Sequence, residues 1–70
     1  MDAQAKYALY TMFYKLAMHT LIFRGETKLV TPWHLHYEAM RGTNYCLAAL
    51  GEEITIDDIW KVQTSEIDVS

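Results

Sequence analysis

Residues that start and stop helices divide this chain into three segments, and this division constrains the fold more than any other feature. Gly25 and Gly51 are placed to end helices, because glycine readily adopts the left-handed conformation that follows a helix. Thr31 followed by Pro32 is typical of a helix start, with threonine as the N-cap and proline at the first helical position. The pattern predicts an all-α domain with three helices, at about 2–24, 31–50 and 55–64.

The first predicted helix carries two apolar stripes. Asp2 can cap its start, and Arg24 lies at the negative end of its dipole. With about 100° between successive residues, seven apolar residues share one face of this helix: Ala5, Leu9, Met12, Phe13, Leu16, Ala17 and Phe23. The second stripe, Tyr7, Tyr10 and Tyr14 with Leu21, lies beside it. One neighbour cannot cover so wide an apolar surface, so either this helix is central in the monomer or the tyrosine stripe is a dimer interface.

The second predicted helix also has two seams. One seam consists mostly of small residues, along which another backbone could approach closely: Leu35, Ala39, Gly42, Cys46 and Ala49. The other seam has a single asparagine among apolar residues, and such an asparagine can fix the register and oligomeric state of packed helices. We assign this seam to the dimer interface: Trp33, Tyr37, Met40, Asn44 and Leu47. Because glycine is unfavourable within a helix, the alternative is a break at Gly42-Thr43-Asn44, which would leave the asparagine exposed.

The third predicted helix begins with the same signals as the second. Thr55 is the expected N-cap, and Asp58 is placed as the acid of a capping box. Ile54 and Ile59 have the spacing of a hydrophobic staple. The remaining residues, 65–70, are expected to form a flexible tail that depends on a partner for order.

The length of the chain limits how stable this fold can be alone. A chain of 70 residues buries only about 60% of the surface that it exposes when unfolded. Small domains therefore usually need disulfides, a metal or an oligomer. The single cysteine excludes an intramolecular disulfide, while 51% of the residues are hydrophobic. We therefore predict a homodimer at micromolar concentration, intertwined or side by side, built around the first two helices.

Acidic residues are concentrated near the C-terminus. The net charge is −3, but six acidic residues and one lysine after Leu50 give that segment −5 and leave +2 on the first 50 residues. So acidic a segment does not favour contact with phosphates. It is either a solubilising surface or a patch that meets a basic partner surface or occupies a nucleic-acid-binding groove. In the second case the partner-binding residues are Glu52, Glu53, Asp57 and Asp58.

Residues that could carry chemistry occur singly or in incomplete sets. Cys46 is expected to be a buried core residue, because it lies within the small-residue seam. His34 and Glu38 share a helix face, but His36 points away from them, and a structural zinc site needs four ligands. The paired aspartates at the third helix start are expected to be capping residues. We therefore assign no catalytic, metal or cofactor site and expect no enzymatic activity.

Elimination favours a small non-enzymatic regulator or inhibitor that binds a larger protein or a protein–nucleic acid complex. Compact acidic chains without motifs are often phage- or mobile-element-encoded modulators of host machinery, an analogy that predicts a cytoplasmic location. One alternative is a helix–turn–helix transcriptional regulator with 43–50 as its recognition helix, although that segment contains no arginine or lysine. Another is an assembly chaperone or structural subunit. Lys15 and His19 within the apolar stretch argue against a membrane span.

Overall fold

Three α-helices form within residues 1–69, whose backbone the computed structural model describes, together with the side chains of residues 1–64. They are α1 (Ala3–Phe23), α2 (Pro32–Ala48) and α3 (Ile56–Val69), and a short 3-10 turn at Thr27–Leu29 joins the first two. This part of the chain contains no strand. The prediction of an all-α domain with three helices is confirmed.

The predicted stop signals end α1 and α2 in the same way. Gly25 and Gly51 have φ angles of 75° and 69°, in the left-handed region. After α1, the Glu26 N–H donates to the Leu21 carbonyl at 2.9 Å. After α2, the corresponding bond joins the amide of Glu52 to the Leu47 carbonyl at 3.0 Å. Both ends are therefore Schellman motifs, in which glycine allows the chain to turn back over the last carbonyls.

The helix starts follow the sequence signals as well. Asp2 Oδ1 accepts a hydrogen bond of 2.8 Å from the Ala5 amide at the start of α1. Thr31 Oγ1 accepts one of 3.3 Å from the His34 amide at the start of α2. From there α2 runs without interruption through Gly42, so the alternative of a break at that position is wrong.

In the capping box of α3, Asp58 accepts both hydrogen bonds, and the Thr55 side chain takes part in only one of them. Asp58 Oδ2 accepts from the Thr55 backbone N–H at 3.0 Å and from the Thr55 hydroxyl at 3.2 Å. These hydrogen bonds, the backbone one first, hold the pKa of Asp58 below its ordinary value. The backbone of 65–69 continues this helix, so the predicted end at residue 64 is too early. The side chains of that segment and all of Ser70, where the flexible tail was predicted, lie outside the described residues.

The core is built on one stripe of α2. Leu35, Ala39, Thr43 and Leu47 are all buried and recur at every fourth residue. Leu47 also joins Ile54 and Ile59 in a cluster against which four partly buried residues pack: Tyr7, Leu9, Tyr10 and Met40. Helix α1 contacts both α2 and α3 and is therefore the central element.

The predicted small-residue seam is half correct. Leu35 and Ala39 are buried and Gly42 approaches α1, whereas Cys46 and Ala49 are exposed. The buried stripe continues instead through Thr43 and Leu47, one residue after the predicted positions. The prediction that Cys46 is a core residue is therefore wrong.

The first apolar stripe predicted on α1 is only partly covered, since four of its seven residues are half-buried and three are exposed. Met12, Leu16 and Phe23 are 51%, 56% and 92% exposed, and the one buried residue of the helix is Leu21. The reason is that α2 packs against the edge of that face, where Phe13 and Ala17 are half-buried, and leaves its centre open.

The molecule is flat and exposes more surface than its mass requires. Its dimensions are 36 × 34 × 14 Å, and its radius of gyration of 12.9 Å exceeds the value of about 11 Å for a compact domain of this length. Its accessible surface is 5195 Å², against about 4500 Å² expected for a monomer of this mass. The excess of about 700 Å² consists in part of the open face of α1.

Replacing the buried Thr43 with valine is expected to stabilise the fold. Its Oγ1 is buried and finds no hydrogen-bond partner among the described residues. Valine has nearly the same shape and removes that cost, so Thr43→Val should raise the free energy of unfolding by about 1 kcal/mol in urea melts. Thr11→Val is the matched control, because the Thr11 hydroxyl donates to the Tyr7 carbonyl at 3.0 Å. A loss of stability in Thr43→Val as large as in Thr11→Val would contradict this account.

The hydrogen bonds at the start of α3 predict which of two cap substitutions destabilises the fold more. Asp58→Ala removes both bonds to Thr55 and should cost about 1 kcal/mol, whereas Thr55→Ala leaves the backbone bond and should cost less. Because folding lowers the pKa of Asp58, this stabilisation is complete above the ordinary aspartate pKa and is lost as the pH falls through the folded-state pKa. Urea melts at neutral and acidic pH test this, and an equal or larger loss in Thr55→Ala would refute it.

Candidate protein-binding surfaces

The acidic segment is partly engaged within the chain. Glu52 Oε1 lies 2.9 Å from the Met1 amino group and 3.8 Å from Lys6 Nζ. The hydrogen bond from the amino group is the main reason that the pKa of Glu52 is below its ordinary value. Lys6 Nζ also donates to the Glu53 carbonyl at 2.8 Å. Glu52 therefore fastens the loop before α3 to the start of α1.

The other three predicted partner-binding acids divide by their surroundings. Asp58 is the capping acid of α3 and is half-buried. Glu53 and Asp57 are exposed. Two of the four predicted carboxylates are thus committed to local structure, and the other two face solvent and can meet a basic surface.

An aromatic cluster joins α1 to α2 on one side of the molecule. The ring of Tyr10 lies 6.0 Å from each of the rings of Tyr7 and Tyr14 and 5.7 Å from that of His36. The Tyr10 hydroxyl and His36 Nδ1 form a hydrogen bond of 2.8 Å. Burial, followed by the neighbouring tyrosines, raises the pKa of Tyr10, so its phenol keeps its proton. Sequence reasoning missed His36 as the link, although its spacing from Trp33 and Met40 places all three on one helix face.

The predicted dimer-interface residues differ in how exposed their side chains are. Leu47 is buried, and Asn44 Oδ1 accepts a 2.7 Å hydrogen bond from the Ile54 amide, which leaves neither side chain available to a second chain. Trp33 and Tyr37 are 76% and 61% exposed. The remaining residues are half-buried: Tyr7, Tyr10, Tyr14 and Met40. The dimer itself stays a prediction, and Trp33 and Tyr37 are the members of this set that present most surface.

A groove of about 580 Å³ lies between α1 and α2 on the other side of their contact. Its apolar lining includes Phe13, Leu16, Leu21 and Tyr45, and two arginines and two glutamates also border it: Arg24, Arg41, Glu26 and Glu38. Tyr45 is 85% exposed on the α2 wall. Its size is within the range of small-molecule and peptide pockets. This groove could not be predicted from sequence patterns, because it depends on how far apart the two helices lie.

Gly42 forms part of the groove floor and sets the approach of the two helices. A Cβ atom at this position would lie 2.8 Å from Phe13 Cδ1. The absence of a side chain therefore lets the Phe13 ring lie on the α2 backbone. This contact explains why a glycine occupies a helix interior despite its low helix propensity.

The residues considered for chemistry do not assemble into a site. Cys46, His34 and Glu38 all border the groove. Among the described residues, however, no three histidine, cysteine, aspartate or glutamate side chains are grouped so that they could hold a metal ion. The groove therefore offers apolar contact with a mixed-charge rim rather than a cluster of ligands.

Comparisons with known proteins add no relative. No protein-family model matches the chain, and searches of curated proteins and of solved structures return no significant match. Within the described residues, no helix is both long and apolar enough to cross a membrane.

Because the Phe13 ring lies against Gly42, we expect Gly42→Ala to have opposite effects on stability in chains with and without that ring. In the wild-type chain, Gly42→Ala should lower the free energy of unfolding by about 1 kcal/mol, because overpacking outweighs the gain in helix propensity. In a Phe13→Ala chain the same change should raise it by about 1 kcal/mol. Urea melts of the four proteins measure both effects. Equal effects in the two backgrounds would show that Phe13 does not restrict position 42.

Proposed function

We propose that this chain is a non-enzymatic binding protein that regulates or inhibits a larger protein by occupying part of its surface. The observation that carries the proposal is the exposure of Trp33 and Tyr37, at 76% and 61%, one helical turn apart on α2. Isolated exposed apolar residues are common on protein surfaces, but adjacent large aromatics mark interaction sites. Tryptophan and tyrosine are also the residues most enriched among binding hot spots.

The position of these two residues on α2 supports an anchoring role. The buried stripe from Leu35 to Leu47 fixes the opposite side of this helix in the core. The hydrogen bond between His36 and Tyr10 fixes the turn between the two aromatics to α1. A partner would therefore meet rings on a rigid backbone, which lowers the entropy lost on binding.

The charged residues suggest the kind of surface that the partner presents. Glu53 and Asp57 are exposed and the chain has a net charge of −3. A partner with an apolar pocket beside basic residues would complement both features. Rim charges of this kind mainly raise the association rate, and salt screens their effect.

The alternative functions have less support. The helix–turn–helix alternative required a break at Gly42, and α2 runs unbroken through this position. No specific observation favours an assembly chaperone or a structural subunit. An origin in a phage or mobile element and a cytoplasmic location stay predictions by analogy.

The experiment compares two tryptophans in affinity purification. Tagged wild-type chain, Trp33→Ser and Trp60→Ser are each used to capture proteins from a lysate of the source cells. Trp60 is the matched control, because it is also exposed, at 63%, but lies on α3. We expect a stoichiometric partner with the wild type and Trp60→Ser, and a loss of at least about 10-fold with Trp33→Ser, as for a hot-spot residue.

Two results would contradict the proposal. One is the absence of any stoichiometric partner at low and moderate salt. The other is a partner that Trp33→Ser retains as well as Trp60→Ser does, because the anchors would then lie elsewhere. Circular dichroism of both variants verifies that helix content is unchanged.

A further inference from the structure

The open face of α1 carries a line of apolar side chains that no described element covers. Met12, Leu16 and Phe23 are 51%, 56% and 92% exposed. With His19 they follow the spacing of four, three and four residues that is typical of a helix–helix seam. The ring of Phe23 in particular makes almost no contact within its own chain.

The groove between α1 and α2 begins beside this line and has no side chain to fill it. Leu16 belongs to both, since it forms part of the groove lining and is more than half exposed. The lining near it is apolar and includes Phe13 and Tyr45. One chain thus offers an uncovered aromatic ring and an unfilled apolar groove, and neither can satisfy the other within the monomer.

The excess of exposed surface is close to the area that one partner of a standard interface buries. The accessible surface of 5195 Å² exceeds the expectation for a monomer of this mass by about 700 Å². A standard protein–protein interface buries about 800 Å² on each partner. The two arginines and two glutamates that border the groove give it no net charge that would repel another copy.

We propose that a second copy of this chain covers the open face of α1, and that Phe23 of each copy inserts into the groove of the other. The partner surface of the proposed function, around Trp33 and Tyr37, shares no residue with the lining of the groove. The two proposals therefore rest on different residues.

Two-fold symmetry makes the contact reciprocal. An axis that crosses α1 between Leu16 and His19 sets the two helices antiparallel, with Phe23 of one copy beside Met12 of the other. Residue 12 is adjacent to Phe13, which lines the groove. The same patch therefore serves both copies, the arrangement that closes at a dimer rather than growing into a fibre.

The test is sedimentation equilibrium of the whole chain and of two variants. We expect the wild type to dimerise at micromolar concentration and Phe23→Ala to raise the dimer dissociation constant by on the order of 100-fold, because two rings per dimer lose their cover. Tyr37→Ala is the control, since Tyr37 is 61% exposed and does not line the groove, and should leave the constant within about 3-fold of the wild-type value.

A crosslinking measurement on folded chains removes any dependence on the stability of Phe23→Ala. In a Cys46→Ser background, chains with Met12→Cys and chains with Phe23→Cys are mixed at about 100 μM, where a dimer that keeps one of its two Phe23 rings still forms, and are oxidised. Heterodimers joined by a disulfide are expected from the mixture, in clear excess over homodimers from either chain alone. A wild type that stays monomeric, a dimer lost in Tyr37→Ala but kept in Phe23→Ala, or no excess of mixed disulfide would each overturn the proposal.

Discussion

The buried stripe of α2 is the contact on which the rest of the structure depends. Leu35, Ala39, Thr43 and Leu47 place α2 against α1, and Leu47 extends the core to Ile54 and Ile59 before and within α3. Because the two residues between Leu35 and Leu47 on this stripe are small, the two helices approach closely, and Gly42 admits the Phe13 ring. The two flanks of this contact become the aromatic side and the groove.

The small size of the core explains why so much apolar surface remains outside. A core of this extent supplies few kcal/mol beyond the conformational entropy lost on folding. The described part of the chain has three helices in a body 14 Å thick, and none of its elements covers the open face of α1. Exposed apolar area of this extent is expected where a chain meets other chains. The proposals are that a second copy covers the open face of α1 and that a larger partner binds around Trp33 and Tyr37.

The helix starts and the ends of α1 and α2 could be predicted from the sequence, because caps and stops act through backbone hydrogen bonds a few residues away. The end of α3, which has no such stop signal, was predicted too early. Asp2, Thr31, Gly25 and Gly51 all have the predicted local roles. Which helix faces are buried could not be predicted equally well. Helical periodicity gives the direction of a side chain about its own axis, but not which part of a wide apolar face the neighbour covers. This is why Phe23 lies at the surface while Phe13, on the same predicted stripe, is half-buried.

Long-range polar contacts limited the prediction of the candidate sites in the same way. Glu52 looked like a surface acid, but the fold brings it to Lys6 and the chain start. Asn44 was assigned to a dimer seam, but its side chain holds the Ile54 amide. In both cases the partners lie on different elements, so the periodicity of a single helix cannot predict the contact. The same fold-level placement brings His36 to Tyr10 and forms the aromatic side.

The thermal midpoint as a function of protein concentration tests the central claim most directly, namely that this chain relies on a second copy to cover its apolar surface. If only the folded chain associates, the midpoint should rise by about 5 °C for each tenfold increase in concentration between about 1 and 100 μM. Calorimetry or circular dichroism at several concentrations measures it on the unmodified chain. A midpoint that stays constant over this range would contradict the account.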